Sequence, residues 1–239
     1  HVHQQPAYEV IVVNDNSEDD SKYYLASIEN GYSHYRHIEI KQSAQFIPGK
    51  KYPLSIGIKG AKYDTLVLTD ADCKPGSTYW LSMMAQGFEN GKEIVLGYGP
   101  YYKKPGFLNK VIRYETYFSA LQYLGYALAG IPYMGVGRNL AYKKELFFKH
   151  KGFTAHQHLA SGDDDLFVNR AANSKNTAVV INKHAFAYSE PKTKWKHWFG
   201  QKNRHMSTGK HYRFGHKMLL GLFSLSHFVF YPAMIMALF

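Results

Sequence analysis

The chain has 239 residues, a length that suits one large α/β domain with a substantial core. Its single cysteine, Cys73, excludes an internal disulfide framework and any zinc cluster built from cysteines. The formal net charge is +11, and much of it lies between residues 183 and 217, where nine Lys or Arg side chains face one acid, Glu190. Charge of this density predicts an anionic partner, either a nucleic acid or a membrane surface.

The first half of the chain alternates predicted strands and helices. Apolar runs predict strands over residues 8–13, 37–40, 65–69 and 94–97, and apolar spacing with turn signals predicts helices over 21–30, 50–61 and 78–90. This alternation predicts an α/β fold with a doubly wound, mostly parallel sheet flanked by helices. Ligands bind such sheets beyond the carboxyl ends of the strands, where Asp15 and the acidic triplet Asp70-Ala71-Asp72 lie.

The acidic triplet directly follows the apolar run Leu66-Val67-Leu68 and Thr69. Asp70 and Asp72 repel each other and cost desolvation at a strand end, unless a cation binds between them. A hard divalent cation, Mg²⁺ or Mn²⁺, that also holds a phosphate-bearing ligand fits this pattern. The alternative is an Asp-rich turn, because Asp is a common turn residue.

The second half is less regular. Residues 107–127 predict a long helix, and the glycine-rich turn 135–139 (GVGRN) leads into an apolar run. This turn lacks the GxGxxG spacing and a clear preceding strand, which excludes a dinucleotide site. Three consecutive aspartates, Asp163, Asp164 and Asp165, then open a predicted helix. A helix N-terminus needs only one of them as a cap, so the surplus indicates function, although a solvated cap is the alternative.

The C-terminal region predicts membrane association. Residues 218–239 carry no formal charge and match the length needed to span a bilayer. The preceding basic segment, residues 183–217, fits the positive-inside pattern and is therefore expected on the cytoplasmic side. Trp195, Trp198 and Phe199 recur at helical spacing, as in an interfacial helix. The alternatives are a buried core helix for 218–239 and base stacking by the basic segment.

Six motifs in order make the chain resemble the family 2 glycosyltransferases, inverting enzymes with a GT-A-type fold, in particular their membrane-bound branch with cellulose and hyaluronan synthases. The motifs are EVIVVNDNSEDDS, GKKYPLSIGIKGA, LVLTDAD, GVGRNLAYKKELFFKHKGF, SGDDDL, and QKNRH where that branch carries QxxRW. The resemblance implies transfer of a sugar from a nucleotide-sugar, UDP-sugar favoured, to a glycan or lipid-linked acceptor. It places the enzyme at the cytoplasmic face of the cell membrane, in envelope or exopolysaccharide synthesis, with membrane and substrates as partners and no nucleic acid.

The same resemblance implies roles for the donor-side residues. Asp15 would hold the uracil or ribose of the nucleotide-sugar, and Lys50 or Lys51 would lie near the base or diphosphate. Asp70 would contact the ribose or the metal-bound diphosphate. Asp72 would be the direct ligand of Mg²⁺ or Mn²⁺, with Asp70 beside it.

On the acceptor side, the catalytic base maps to Asp163. Asp164 is an alternative, because the Glu that precedes the base in the family is Gly162 here. The other substrate-binding residues that the resemblance implies are Gly137 and Asn139 in the glycine-rich segment, and Gln201, Arg204 and His205 in QKNRH.

The chain departs from the family pattern at two places. His205 stands where the branch has a tryptophan, which argues against processive polymerisation by ring stacking. The family also has a first strand and helix before the position matching residues 4–13, so we expect a chain truncated at both ends. The expected organisation is a catalytic domain over 1–190, a basic interfacial helix over 191–217 and a transmembrane helix over 218–239. Alternative functions are an inactive membrane-associated fragment, a nucleotidyltransferase or a nucleic-acid binder.

Overall fold

The computed structural model describes residues 7–41 and 49–238. Residues 1–6 of the expected catalytic domain, residues 42–48 before the lysine motif, and residue 239 at the end of the expected transmembrane helix lie outside the described residues. Predictions that fall on those positions therefore stay predictions.

Over the described ranges the chain forms eight strands and eight α-helices. The strands are β1 (Val10–Asp15), β2 (Tyr35–Ile40), β3 (Thr65–Leu68), β4 (Cys73–Pro75), β5 (Ile94–Gly97), β6 (Leu140–Lys143), β7 (Thr177–Val180) and β8 (Ala187–Ser189). The helices are α1 (Ser21–Glu29), α2 (Lys51–Gly60), α3 (Trp80–Gln86), α4 (Phe107–Leu128), α5 (Lys144–Lys149), α6 (Asp165–Ala171), α7 (Trp195–Met206) and α8 (Phe214–Ala237).

The central sheet has the strand order β3-β6-β5-β7 and is mixed. β5 and β7 run parallel, whereas β6 is antiparallel to both β3 and β5. The α/β fold with flanking helices is confirmed, but this sheet is not mostly parallel. Apolar runs identify strands without giving their direction, and β6 enters the sheet from the opposite end after the long α4 and the glycine-rich turn.

Two further strand pairs flank the central sheet. β1 and β2 form a parallel pair, and within the described ranges no ladder joins β1 to β3. Helix α2 packs so closely against β1 that a Cβ on Gly57 would lie 2.9 Å from Val13 Cγ2. β4 pairs with β8 in an antiparallel ladder, and neither strand was predicted from the sequence. A three-residue strand that ends in proline leaves almost no sequence signal.

The main core lies between the central sheet and helices α4 and α6. Ile94, Leu140 and Phe167 are fully buried there, and α4 contributes Tyr123 and Leu124. The continuous apolar run of β5 is explained by this position, since a strand covered on both faces needs no polar alternation.

Two element boundaries differ from expectation for local reasons. Helix α3 ends at Gln86 rather than near residue 90, because the Gly87 and Phe88 N–H groups donate to the carbonyls three residues back, of Met84 and Ala85, instead of four residues back. Helix α8 begins at Phe214, before the expected residue 218. By length and composition α8 could cross a membrane, with a mean hydropathy of 1.7 over its most apolar window. None of that window is buried, unlike a core helix.

Candidate active site

The candidate site forms where the end of β3, the start of α2 and the turn before α6 meet. The Lys50 ammonium lies between two carboxylates, with Nζ 2.7 Å from Asp70 Oδ1 and 3.1 Å from Asp163 Oδ2. Asp163 is buried, with 7% of its side chain exposed, whereas Lys50 is about half exposed at 49%. One cation thus joins the acidic triplet to the aspartate run 163–165, although these segments are some ninety residues apart in sequence.

The charges around Lys50 set the ionisation of its partners. Burial disfavours the ammonium, but the carboxylates of Asp163, Asp70 and Asp164 outweigh it, so the pKa of Lys50 is raised. Burial and the charge of Asp164 raise the pKa of Asp163 to about 6, with Lys50 acting in the opposite direction. Asp163 is therefore mostly a carboxylate at neutral pH and readily accepts a proton, as a general base must.

The adjacent lysine, Lys51, points away from these carboxylates. Its side chain is buried and its Nζ donates hydrogen bonds to the backbone carbonyls of Leu159 and Ser161. Burial lowers the pKa of Lys51. Gly49, with a φ of +74°, lies against the carbonyl of Ala160 so closely that a Cβ would overlap it. The first turn of α2 thereby holds the loop that leads into Asp163.

A possible metal site lies at the acidic triplet. Asp70, Asp72 and Cys73 each offer a ligand atom, and these atoms lie within 4.8 Å of one another. The chain folds back here, because the Cys73 N–H donates to the Asp70 carbonyl oxygen at 3.0 Å. Two carboxylates suit a hard cation such as Mg²⁺ or Mn²⁺. Cys73 is the poorer ligand, since burial raises the pKa of its thiol and Sγ lies 2.9 Å from Ser189 Oγ.

Asp164 is held by backbone groups. Its Oδ2 accepts the Gly137 N–H at 2.7 Å, and its Oδ1 accepts the Asp165 N–H at 2.8 Å. A Cβ on Gly137 would lie 3.2 Å from Lys50 Nζ and 3.3 Å from Asp164 Oδ2, so glycine permits the close approach of the turn. Asp164 thus caps α6 and fixes the glycine-rich turn, whereas Asp163 contacts a lysine side chain.

Asn139 lies beneath the site. It is fully buried, donates to the carbonyls of Tyr98 and Ala185 at 2.9 and 2.7 Å, and accepts from Trp80 Nε1 at 3.0 Å. These contacts occupy its amide within the protein and hold the glycine-rich turn in place. The structure therefore gives Asn139 a visible supporting role, while its predicted contact with substrate stays a prediction.

The QKNRH motif lies on α7, with Arg204 and His205 exposed. Gln201 Nε2 donates to the hydroxyl of Tyr101 at 3.2 Å, and Arg138 donates to the same hydroxyl at 2.7 Å. Desolvation lowers the pKa of His205, and the charge of Asp164 acts on it in the raising direction. Arg138 was not predicted as a site residue, although a cation inside the glycine-rich turn was a signal for it.

Asp15 is not joined to this cluster. It is exposed at the end of β1, and within the described ranges no ion pair joins it to Lys50, the cation that contacts Asp70 and Asp163. Asp165, Thr208 and Tyr212 are three further residues near the site that were not predicted as site residues. Asp165 is buried and accepts hydrogen bonds from Thr208 and Tyr212, which follow α7. Only the surplus of aspartates in the sequence hinted at this contact.

A mixed sheet with flanking helices, and carboxylates gathered at a strand end, define the protein as one of GT-A-like fold. The family model for glycosyl transferase family 2 matches residues 1–151. The chain therefore belongs to glycosyltransferase family 2, which confirms the family to which the motifs pointed.

Solved structures agree in fold. A mannosyltransferase, PcManGT from Pyrobaculum calidifontis in complex with GDP-Man and Mn²⁺, has a TM-score of 0.59 at 18% identity, over 80% of this chain and 50% of that chain. S. aureus TarS 1-349 in complex with UDP-GlcNAc has a TM-score of 0.56 at 15% identity, over 80% of this chain and 52% of that chain. The chain spans about half the length of both. A comparison with curated proteins found no match.

Proposed function

We propose that the protein is an inverting glycosyltransferase that moves a sugar from a nucleotide-sugar to a hydroxyl of a glycan or lipid-linked acceptor. The observation that carries the proposal is the contact of one ammonium, Lys50, with both Asp70 and Asp163. A donor whose diphosphate is held at Asp70 would have its sugar next to Asp163. The donor side and the proton acceptor would then flank the same small space.

The proposed reaction is a single displacement. The acceptor oxygen forms a bond to the anomeric carbon, the bond from that carbon to the diphosphate breaks, and the configuration inverts. A hydroxyl is a poor nucleophile, so its proton passes to the Asp163 carboxylate as the attack proceeds. The pKa of about 6 suits this role, because Asp163 is unprotonated at neutral pH yet basic enough to take a proton. Asp164 remains the alternative base.

Asp72 and Asp70 would hold the divalent cation, Mg²⁺ or Mn²⁺, and their oxygen donors fit it. When bound, such a cation offsets the negative charge that develops on the departing diphosphate. The presence of Mn²⁺ in the PcManGT complex supports this assignment. Lys50 would add a fixed positive charge from the protein itself.

The remaining predicted residues would complete the donor and acceptor pockets. Arg204 can bind a phosphate with two parallel hydrogen bonds, which a lysine cannot imitate. Gln201, His205 and Gly137 would border the diphosphate and acceptor, and Asp15 the nucleoside. UDP is favoured over GDP by the resemblance to the membrane-bound branch; TarS was solved with UDP-GlcNAc and PcManGT with GDP-Man.

We place the enzyme at the cytoplasmic face of a membrane, in envelope or exopolysaccharide synthesis, with no nucleic-acid partner. The support is α8, which is long and apolar enough to span a bilayer and is unburied. The basic segment precedes it, as expected for the cytoplasmic side. The proposed organisation is a catalytic domain over 1–190, a basic interfacial helix over 191–217 and a membrane-spanning segment over 218–239.

The test is a screen of nucleotide-sugars, including UDP-GlcNAc and GDP-mannose, with the full chain in membranes. We expect release of the nucleoside diphosphate from one donor with Mn²⁺ or Mg²⁺, and loss of release with a chelator. Asp163→Asn serves as the matched inactive protein. Release at the native rate in both Asp163→Asn and Asp164→Asn, or no release with any donor, would contradict the proposal. Salt-sensitive RNA or DNA binding without turnover would favour the nucleic-acid binder instead.

A further inference from the structure

We propose that Asp165 is a positioning residue that couples the base-carrying turn of α6 to the basic helix α7, an inference whose catalytic part rests on the proposed function. Asp165 is the first residue of α6 and is buried, with 8% exposed. Within the described ranges, no hydrogen bond or ion pair joins its carboxylate to Lys50 or to another residue proposed to bind the donor. Its partners come instead from the chain segment that follows α7.

Two hydroxyls converge on one oxygen of Asp165. Its Oδ2 accepts a hydrogen bond from Tyr212 Oη at 2.7 Å and another from Thr208 Oγ1. Thr208 Oγ1 also lies 2.7 Å from the His205 carbonyl oxygen, but its single proton serves only one acceptor, and a carboxylate is the stronger. The other oxygen, Oδ1, accepts the Leu166 N–H at 2.8 Å. Both oxygens of the carboxylate are thus held, one by α6 itself and the other by the segment after α7.

A second contact on α6 supports the same docking. One helical turn beyond Asp165, Asn169 Oδ1 accepts the backbone N–H of Arg213 at 2.9 Å. Thr208, Tyr212 and Arg213 together fasten the segment between α7 and α8 along one face of α6. The end of α7, with Arg204 and His205, is continuous with this fastened segment and takes its position from it.

Sequence adjacency links this docking to the base. Asp163, Asp164 and Asp165 are consecutive, yet each contacts a different part of the molecule: Lys50, the glycine-rich turn, and the segment after α7. A shift of Asp165 therefore shifts Asp163 relative to Lys50. Burial and Asp164 raise the pKa of Asp165 to about 6, while the Thr208 and Tyr212 hydroxyls act in the lowering direction, so they help to keep it charged. Asp165 would set the distance between base and α7.

The first arm of the test measures the coupling without any substrate. In the full chain, Tyr212→Phe and Thr208→Val each remove one hydroxyl donor and keep the side-chain shape. A hydrogen bond to a charged group contributes more to stability than one between neutral groups. We therefore expect roughly tenfold faster amide hydrogen exchange across α7 in each variant. Thr208→Ser keeps the hydroxyl and should exchange like the native protein. Tyr123→Phe is the matched control, because Tyr123 is buried and its hydroxyl donates to the Gly97 carbonyl at 2.8 Å, away from Asp165.

The second arm measures turnover with UDP-GlcNAc and GDP-mannose at equal folded fraction. We expect kcat/KM to fall roughly tenfold in Thr208→Val and Tyr212→Phe, and to be unchanged in Thr208→Ser and Tyr123→Phe. Unaltered exchange of α7 in both hydroxyl-deletion variants would overturn the coupling, whatever the activity. Faster exchange with unaltered kcat/KM would overturn its role in transfer. If the native chain turns over no nucleotide-sugar while the exchange pattern holds, the proposed function fails and the coupling stands.

Discussion

Asp163 differs from its two neighbours because its partner is a side-chain cation rather than backbone or hydroxyl donors. We expect Asp163→Asn to abolish sugar transfer, because the amide cannot take a proton. The dissociation constant of the nucleotide should change by less than about threefold, which corresponds to less than about 0.7 kcal/mol of binding free energy. Turnover and calorimetric titration of nucleotide measure the two effects. Asp164→Asn is the paired variant. Turnover that survives in Asp163→Asn and vanishes in Asp164→Asn would move the base to Asp164.

The pH dependence of transfer tests the same residue. The pKa of Asp163 is raised to about 6 by burial and Asp164, and only the unprotonated form can act as a base. We therefore expect kcat/KM to fall as the pH drops through about 6. Lys50 lowers the pKa of Asp163, so Lys50→Met should move this limb to higher pH. A limb that stays in place in Lys50→Met would disconnect it from Asp163.

Asp72 is exposed beside Asp70. Removal of its carboxylate should lower the affinity for the nucleotide-sugar only when the divalent cation is present. We expect Asp72→Asn to weaken Mn²⁺-dependent binding of the nucleotide-sugar by roughly tenfold or more, as the loss of about 1.4 kcal/mol would. Cys73→Ser is the control, since the thiol is a poor ligand for a hard cation and should leave the affinity unchanged. Titrations with and without Mn²⁺ measure both. Equal affinities in Asp72→Asn and native protein would remove Asp72 from the metal site.

The residue types of the site were readable from the sequence, whereas their pairing was not. Paired carboxylates after an apolar run, and aspartates in excess of a helix cap, pointed to Asp70 and Asp163 before any geometry was known. Which of Lys50 and Lys51 faces them depends on how the first turn of α2 is rotated. That rotation is fixed by contacts with residues 159–161, more than a hundred positions away.

At the scale of elements, the start of α2 and the loop before α6 are held together by a glycine. Gly49→Ala must place a Cβ against the Ala160 carbonyl as well as strain a φ of +74°. Gly91→Ala is a matched control, because Gly91 has a φ of +73° and nothing within 4 Å of the added Cβ. We expect Gly91→Ala to cost about 1–2 kcal/mol of unfolding free energy from φ strain alone. In Gly49→Ala, the overlap of the new Cβ with the Ala160 carbonyl should add roughly 1–3 kcal/mol to this loss of unfolding free energy and lower the rate of sugar transfer.

Thermal or denaturant unfolding of the two glycine variants, with turnover measured at equal folded fraction, separates these contributions. Equal destabilisation and equal turnover in Gly49→Ala and Gly91→Ala would show that the contact between Gly49 and Ala160 does not support the site. A selective loss in Gly49→Ala would show that the start of α2 positions Asp163.

Elements with strong patterns were predictable and those defined by distant partners were not. The apolar runs of β3 and β5 and the long helix α4 were placed within a few residues. The β4–β8 pair was missed, because Cys73–Pro75 forms a strand only through its ladder with Ala187–Ser189. The direction of β6 was likewise set by how the chain returns from α4, which no periodicity records.

At the scale of the whole molecule, the order of the motifs predicted the fold class and the family. The motifs follow predicted strands, and in an α/β fold the ends of such strands lie along one edge of the sheet. The sequence could not predict how the strands of residues 7–41 and 49–238 divide into three sheets. The β1–β2 pair is linked to the rest through α2, whose Gly57 packs on Val13 and whose Ile58 enters the main core. Because Asp15 is carried by this pair, its distance from Asp70 depends on α2 rather than on a shared ladder.

The position of α8 relative to a membrane is a property of the whole chain and is tested by one exposed residue. Phe228 lies near the middle of the uncharged part of α8 and is 76% exposed. If α8 spans a bilayer, Phe228→Arg costs about 3 kcal/mol of insertion free energy. We therefore expect Phe228→Arg to be extracted from membranes by alkaline carbonate, whereas the native chain and the apolar control Phe228→Leu remain. If α8 lies in water, an arginine at so exposed a position costs little, and all three proteins would be extracted alike.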